Sequence, residues 1–422
     1  MTSVGDRVIG LLELGDLFTW VTDQDRADAL SALQGDPRLD ATIAYLERRR
    51  LLDTMLTRYH ARRGPSLFDL TMMLAARVTA ASAGAIESRL RRFSFFSPES
   101  RRVTDLLGAP QLIFRMANDL SLSLARHGVA TRAGACTTAP AATIPTSPRA
   151  SFTGSGATGN DIFARRMPLE DQARVAWEQA NHSGRDPRLA GPASRRYGNP
   201  LFALTLPGSA SERRAQAGRI ACLTVSSLFA PIYLGGPPRR AAIMAAAARV
   251  HRLTPEIVGG FILAEQRDQS TNEDMLDYTA ATHSVARRTT SIGLAQVRDD
   301  TAARSDLFAD LLDSARRSGL SQRQIAALLT CDEFNIFACA RYIRQVANAA
   351  AGLSAAAMPD TVSAFPGINF AAYAGHGSTW PPGNIDALGS EYTSPPWDDV
   401  VTGWGYFVRE AWNDMNAAGI SW

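Results

Sequence analysis

Phe261-Ile-Leu-Ala-Glu265-Gln-Arg-Asp268 and, after a polar stretch, Ser291-Ile-Gly-Leu-Ala-Gln296 decide how this chain folds. A charge-free run from Ile257 to Ala264 ends on a carboxylic acid, and a Ser/Gly/Gln turn follows close behind it. Apolar surroundings disfavour an ionised carboxyl, so the pKa of Glu265 is expected to rise, as a proton donor working near neutrality requires. Taken alone, a glutamate at a helix end is an ordinary solvated residue. The helix bearing it has a readable start in Leu253-Thr254-Pro255-Glu256. Thr254 suits the N-cap, Pro255 the first helical position, and Glu256 complements the helix dipole.

Helical signals extend in both directions. Arg239 to Val250 is an Ala-rich helix former. Residues 7 to 128 read as successive amphipathic helices, among them Asp40 to Leu46 and Pro65 to Leu74. Residues 133 to 160 break the pattern with Ala, Thr, Pro, Ser and Gly, and Asn181 to Pro200 is a second irregular patch. Strand signals are few and no internal repeat is visible. These features predict a mainly α protein: a helical domain over 1–128, a linker and irregular region over 129–196, and a second domain over 197–422.

Composition narrows the function. With 44 basic against 41 acidic residues, the net charge of +3 gives no dominant basic field, which argues against a nucleic-acid partner. Every basic residue is arginine; Arg48-Arg49-Arg50, Arg62-Arg63, Arg91-Arg92 and Arg101-Arg102 read as solvated helix faces, with a basic surface for lipid headgroups as the alternative. Cys136, Cys222, Cys331 and Cys339 match no metal-binding spacing. On one helix, Cys331 and Cys339 would lie about 12 Å apart at roughly 1.5 Å per residue, too far for a disulfide, so both are expected as small buried hydrophobes. The amino terminus lacks the order of a secretory signal. The apolar run Ile220 to Pro238 is interrupted by Pro and Gly and reads as a core helix ending in a loop, not a membrane span. The histidines show no metal-ligand spacing, and Trp380, Tyr392, Trp397 and Trp404 would either line a saccharide groove or pack in the core.

Two further blocks, Asn335-Ile336 through Tyr342-Ile343 and Ala371-Ala-Tyr373-Ala-Gly375, follow the first two in order. Together the four resemble the lysozyme-like fold of goose-type lysozymes and soluble lytic transglycosylases, although the last block is one residue short of the usual Tyr-Asn-Ala-Gly form. Leu263 to Gln269, with Ser390-Glu391-Tyr392-Thr393-Ser394-Pro-Pro-Trp397-Asp398-Asp399, is more narrowly similar to the calcium-dependent type VI secretion muramidase effectors. That resemblance implies a goose-type lysozyme-like catalytic domain that hydrolyses the β-1,4 bond between N-acetylmuramic acid and N-acetylglucosamine. Glu265 matches the catalytic acid, and Asp268, one turn later, an assisting carboxylate whose other reading is a solvated helix face. Ser291, Gly293, Gln296 and Tyr373 fall at substrate-binding positions, Gly293 letting the backbone approach the sugar.

Asn199, Gln269, Glu273, Gln296 and Glu391 match positions associated with Ca²⁺. Gln269 to Asp277 packs carboxylates and amide oxygens with no basic side chain, a donor set suited to Ca²⁺ though not in EF-hand spacing; without the resemblance, a solvated acidic loop is the better reading of it. The partners implied are peptidoglycan glycan strands, a periplasmic immunity protein, the type VI secretion apparatus and membrane-surface association. Delivery would be into the periplasm of a recipient cell, without a signal peptide. A lytic transglycosylase forming 1,6-anhydro ends, or a membrane-associating toxin, are the alternative readings.

Overall fold

The computed structural model describes residues 3–15, 20–61, 63–95, 98–129, 210–268, 290–392 and 396–422. The expected linker, Asn199 and the acidic stretch from Gln269 to Asp277 lie outside them. The described residues form helices α1 (Val4–Leu11), α2 (Asp23–Gln34), α3 (Leu39–Arg48), α4 (Leu52–Tyr59), α5 (Leu67–Arg77), α6 (Ala80–Leu90), α7 (Pro98–Leu107) and α8 (Pro110–Arg126) in the amino-terminal half. After these come α9 (Ala210–Cys222), α10 (Arg240–Val250), α11 (Pro255–Asp268), strands β1 (Ser291–Ile292) and β2 (Val297–Arg298), α12 (Asp299–Arg304), α13 (Ser314–Arg317) and α14 (Gln322–Leu329). The chain finishes with α15 (Asp332–Ala350), α16 (Pro359–Ala364), α17 (Pro382–Tyr392) and α18 (Trp404–Ala417). The mainly α reading holds, and the two antiparallel strands form the only sheet among the described residues.

Contacts divide the chain into two units. The first takes in Met1–Arg132 together with Leu228–Pro237 and Leu311–Ala327, segments that the sequence analysis placed in the 197–422 domain. Its helices start on local chemistry: Ser3 with Asp6, Thr22 with Asp25 and Ser66 with Asp69 each form a reciprocal capping box. The cap hydroxyl of Ser3 holds the Asp6 carboxyl below its usual pKa, and Thr22 does the same for Asp25. Leu70 and Leu74 of α5, Ile86 of α6, and Ile113, Phe114 and Leu120 of α8 are fully buried where these helices pack. Asn118 on α8 donates to the carbonyls of Ala75 (3.0 Å) and Val78 (2.9 Å), satisfying the end of α5. Beside this core, Arg115 meets Glu87 at 3.3 Å, Asp313 at 3.7 Å and Asp119 at 3.8 Å, while Arg316 meets Glu87 at 3.5 Å. Burial, then the charge of Asp313, pushes the Asp119 carboxyl up to about 6.

The second unit holds the remaining described residues. Its α11 packs against α10, α15 and α18, and α18 also packs against α9 and α17. Contact between α11 and α18 is backbone-close: a Cβ on Gly260 would fall 2.9 Å from Trp412 Cα. Between α10 and α15, the buried Arg240 Nε meets Asp332 Oδ2 at 2.8 Å, and the same oxygen accepts from Ser226 N at 2.7 Å. His251 pairs with Asp310 at 2.8 Å. Cys331 and Cys339 are buried as expected and take part in no disulfide, whereas Cys222 is disulfide-bonded. The run Ile220 to Pro238 departs from expectation. Only its first residues are helical, as the end of α9, and its prolines and glycines turn the rest through a short 3-10 helix at Ala230–Ile232. No described helix is long and apolar enough to cross a membrane.

Candidate active site

The acid-bearing helix begins as its sequence dictates, with Thr254 Oγ1 accepting from Ile257 N at 3.4 Å. From Ile257 through Ala264 every side chain is buried, and Glu265 emerges half-buried at the following position. The next two residues turn inward again: Gln266 and Arg267 are buried, and Gln266 Nε2 donates to the Leu294 carbonyl at 2.8 Å. Asp268 closes α11 one turn after Glu265; its side chain lies outside the described residues.

The Leu294 carbonyl belongs to the turn between β1 and β2, where Ser291 pairs with Arg298 and Ile292 with Val297. Asn335, buried at the start of α15, holds this turn. Its Nδ2 donates to Ile292 O (2.8 Å) and Leu329 O (2.9 Å), and its Oδ1 accepts from Ala295 N at 2.6 Å. Gly293 sits at φ 82°, and a Cβ there would fall 2.3 Å from Leu329 O and 2.4 Å from Asn335 Nδ2. Beside the close approach of sugar expected at this glycine, the structure shows a close approach to the chain's own Leu329 and Asn335. Gln296, buried and at φ 46°, folds back so that its backbone N and its Nε2 both donate to Gly293 O, at 3.1 and 3.0 Å. Ser291, half-buried, opens β1 on the same hairpin.

Opposite the hairpin stand Tyr392 and Cys339. The Tyr392 hydroxyl lies 3.2 Å from Ala295 O and 3.7 Å from Cys339 Sγ, and its ring packs on Phe261 (5.0 Å) and Tyr342 (5.3 Å). Phe261 is one helical turn before Glu265 and so shares its face. Burial pushes the Cys339 thiol up to about 12, and the nearby Glu265 charge pushes the same way. Burial likewise carries Tyr392 well above its usual value, with Cys339 and Glu265 adding to it. The groups that face the acid, Tyr392 and Cys339, are therefore un-ionised near neutral pH.

Tyr373 lies elsewhere than a sugar contact would need. It has no exposed surface, its hydroxyl donates to Asn384 O at 2.7 Å, and its ring packs between Trp380 (5.2 Å) and Trp397 (5.6 Å). The Ala371–Gly375 block is anchored by Arg344, a residue the sequence did not single out. Arg344 donates to the carbonyls of His251 (2.7 Å), Arg252 (2.7 Å), Tyr373 (2.9 Å) and Gly375 (3.2 Å). Of the late aromatics, Trp380 and Trp404 are buried and belong to the core, while Trp397 is half-buried.

Glu391, at the end of α17, is fully buried. Its Oε2 accepts from Trp397 N, and its Oε1 has no partner among the described residues. Burial pushes its carboxyl up to about 7; the Trp397 hydrogen bond opposes this, and Asp398 and Asp399 reinforce it. A buried carboxylate oxygen without a donor is a natural cation ligand. Of the other residues matched to calcium, Gln296 is described, and Asn199, Gln269 and Glu273 are not. Among the described residues no three His, Cys, Asp or Glu side chains converge on one metal position.

Comparison with known proteins bears on both units. A family model described as the catalytic domain of the type VI secretion peptidoglycan muramidase Tse3 matches residues 152–348, and one described as its amino-terminal domain matches residues 2–121. The peptidoglycan muramidase Tse3 of Pseudomonas aeruginosa is 37% identical over 424 residues, spanning 98% of this chain and 97% of that protein.

Proposed function

The chain belongs to the Tse3 family of type VI secretion peptidoglycan muramidases, and from that premise we propose that it is an antibacterial glycoside hydrolase. Its reaction is hydrolysis of the β-1,4 bond between N-acetylmuramic acid and N-acetylglucosamine. The observation that carries this reading is the placement of Glu265. It emerges half-buried after the buried run Ile257 to Ala264, beside a hairpin locked by Asn335 and faced by Tyr392 and Cys339.

Glu265 donates its proton to the glycosidic oxygen as the bond to the anomeric carbon breaks and an oxocarbenium-like state develops. A water attacks from the opposite face, its oxygen bonding to the anomeric carbon, and Asp268 takes the proton that water loses. Configuration at the anomeric carbon inverts. The test is mass spectrometry of products released from purified peptidoglycan by wild type and by Glu265→Gln. Reducing-end muropeptides from wild type alone are expected. Anhydro-muramic ends would instead make the enzyme a transglycosylase, and full activity of the variant would remove Glu265 from the mechanism.

Calcium is part of the same proposal. Gln296 and Glu391, with Asn199, Gln269 and Glu273, would hold it, and the ion would neutralise the buried Glu391 carboxylate and tie together segments distant in sequence. Addition of Ca²⁺ to chelator-treated protein is expected to raise its melting temperature and to restore turnover and liposome association. Identical melting curves with and without the ion would remove calcium from the account. The site of action is the periplasm of a recipient cell after passage through the type VI apparatus, and the producing cell is protected by a periplasmic immunity protein.

A further inference from the structure

Two residues after the acid, Arg267 is carried into the interior with no exposed surface. Its Nε donates to Gln216 Oε1 on α9 at 2.8 Å, and its Nη2 to Asp414 Oδ2 on α18 at 2.7 Å. Arg213, also on α9, lies 3.5 Å from the same Asp414 oxygen. Burial draws the pKa of Arg267 down, and Asp414 opposes that shift.

Stability does not account for such an arrangement. Desolvating a guanidinium and a carboxylate costs so much that well-packed apolar replacements are often no less stable. An ion pair with a second fixed hydrogen bond instead supplies direction. A planar guanidinium gripped at two points sets the rotation of the helical turn that carries it. That turn is the one bearing Glu265. The neighbouring Gln266 fixes the same turn to the hairpin through Leu294 O, and the backbone contact at Gly260 leaves α11 no room to slide along α18.

We propose that Arg267 is a positioning residue for glycosidic cleavage: held between Gln216 and Asp414, it fixes the direction in which Glu265 presents its proton. The inference rests on the muramidase reading above. Its test is the double variant Arg267→Met/Asp414→Leu, which replaces the pair by apolar side chains, in the full-length protein. Melting temperature is measured beside kcat and KM on soluble glycan strands. The expected result is an unchanged or higher melting temperature, an unchanged KM, and kcat lower by about 10- to 100-fold, the scale of loss that a small misplacement of a reacting group produces.

Gln216→Leu removes one grip without touching a charge, and keeps the proposal testable if the double variant fails to fold. It should lower kcat in the same direction with KM held. Wild-type kcat in either variant at an unchanged melting temperature overturns the proposal, as does a loss confined to KM. Glu265→Gln run in parallel separates the two levels of argument. An inactive Glu265→Gln beside a fully active double variant sinks the clamp alone, whereas an active Glu265→Gln sinks the muramidase reading and the clamp with it.

Discussion

Replacing Asn335 by alanine tests whether the turn beside the acid is held by one side chain. The substitution removes hydrogen bonds to Ile292 O, Leu329 O and Ala295 N, and all three partner residues are buried. A typical hydrogen bond contributes about 1 kcal/mol net, but a buried group left without a partner costs roughly 1–3 kcal/mol. Three such groups, partly rescued by a water entering the vacated volume, give an expected cost of about 3–5 kcal/mol. Hydrogen exchange over a peptide spanning 291–298 reads that quantity locally. With 1.4 kcal/mol per factor of ten, the Ala295 amide should exchange on the order of 100- to 4,000-fold faster than in wild type. Asn335→Asp sharpens the test, because it keeps the acceptor for Ala295 N while turning lone pairs toward the Ile292 and Leu329 carbonyls. It should therefore be at least as damaging near neutral pH, despite its nearly identical volume. Exchange within a factor of ten of wild type in Asn335→Ala, with turnover retained, would refute the assignment of this turn to Asn335.

Other outcomes follow from the same kind of reasoning. Arg344→Met strands the carbonyls it now serves at His251, Arg252, Tyr373 and Gly375, and a loss of about 3–5 kcal/mol is expected in urea unfolding; a change below about 1 kcal/mol would count against its anchoring role. Asp119 titrates near 6 in the fold against about 3.9 unfolded, so the native state binds its proton more tightly. Its contribution is fully present below about pH 4 and is lost as pH rises through 6, at most about 3 kcal/mol. Asp119→Asn should thus flatten this part of the stability profile, matching wild type near pH 4 and exceeding it at pH 8; equal slopes across that window would contradict the assignment.

Features set by neighbours in sequence were legible before the structure. The start of α11 at Thr254-Pro255 and the capping boxes need only a few adjacent residues, and the apolar run before Glu265 announced a buried helix with a carboxyl at its end. Features set by residues distant in the chain were not. Asn335 was visible as part of a block, but its bonds to the hairpin cross about forty residues of sequence, and no local pattern tells which amide reaches that far. Gly293 was legible as a point of close approach, but its contact with Leu329 and Asn335 was not, because a glycine spared for a ligand and one spared for a neighbouring carbonyl look identical in sequence. Tyr373, Trp380 and Trp404 show the same ambiguity for aromatics, whose burial depends on which side of a short helix faces the core. Arg344 and Arg267 carried no signal at all, since a buried arginine is spelled no differently from an exposed one.

The order in which the chain contributes to its two units bears on how the protein comes into being. Leu228–Pro237 and Leu311–Ala327 complete the amino-terminal unit from far downstream. A growing polypeptide therefore cannot finish that unit when its own helices have left the ribosome; it must wait until residue 327 has emerged, by which time Glu265 and its hairpin have already been made. Maturation of the helical half and of the catalytic half is thus joined in time. A fragment cut at residue 132 would leave the face awaiting those later segments uncovered, and would be prone to aggregate where the whole chain is not.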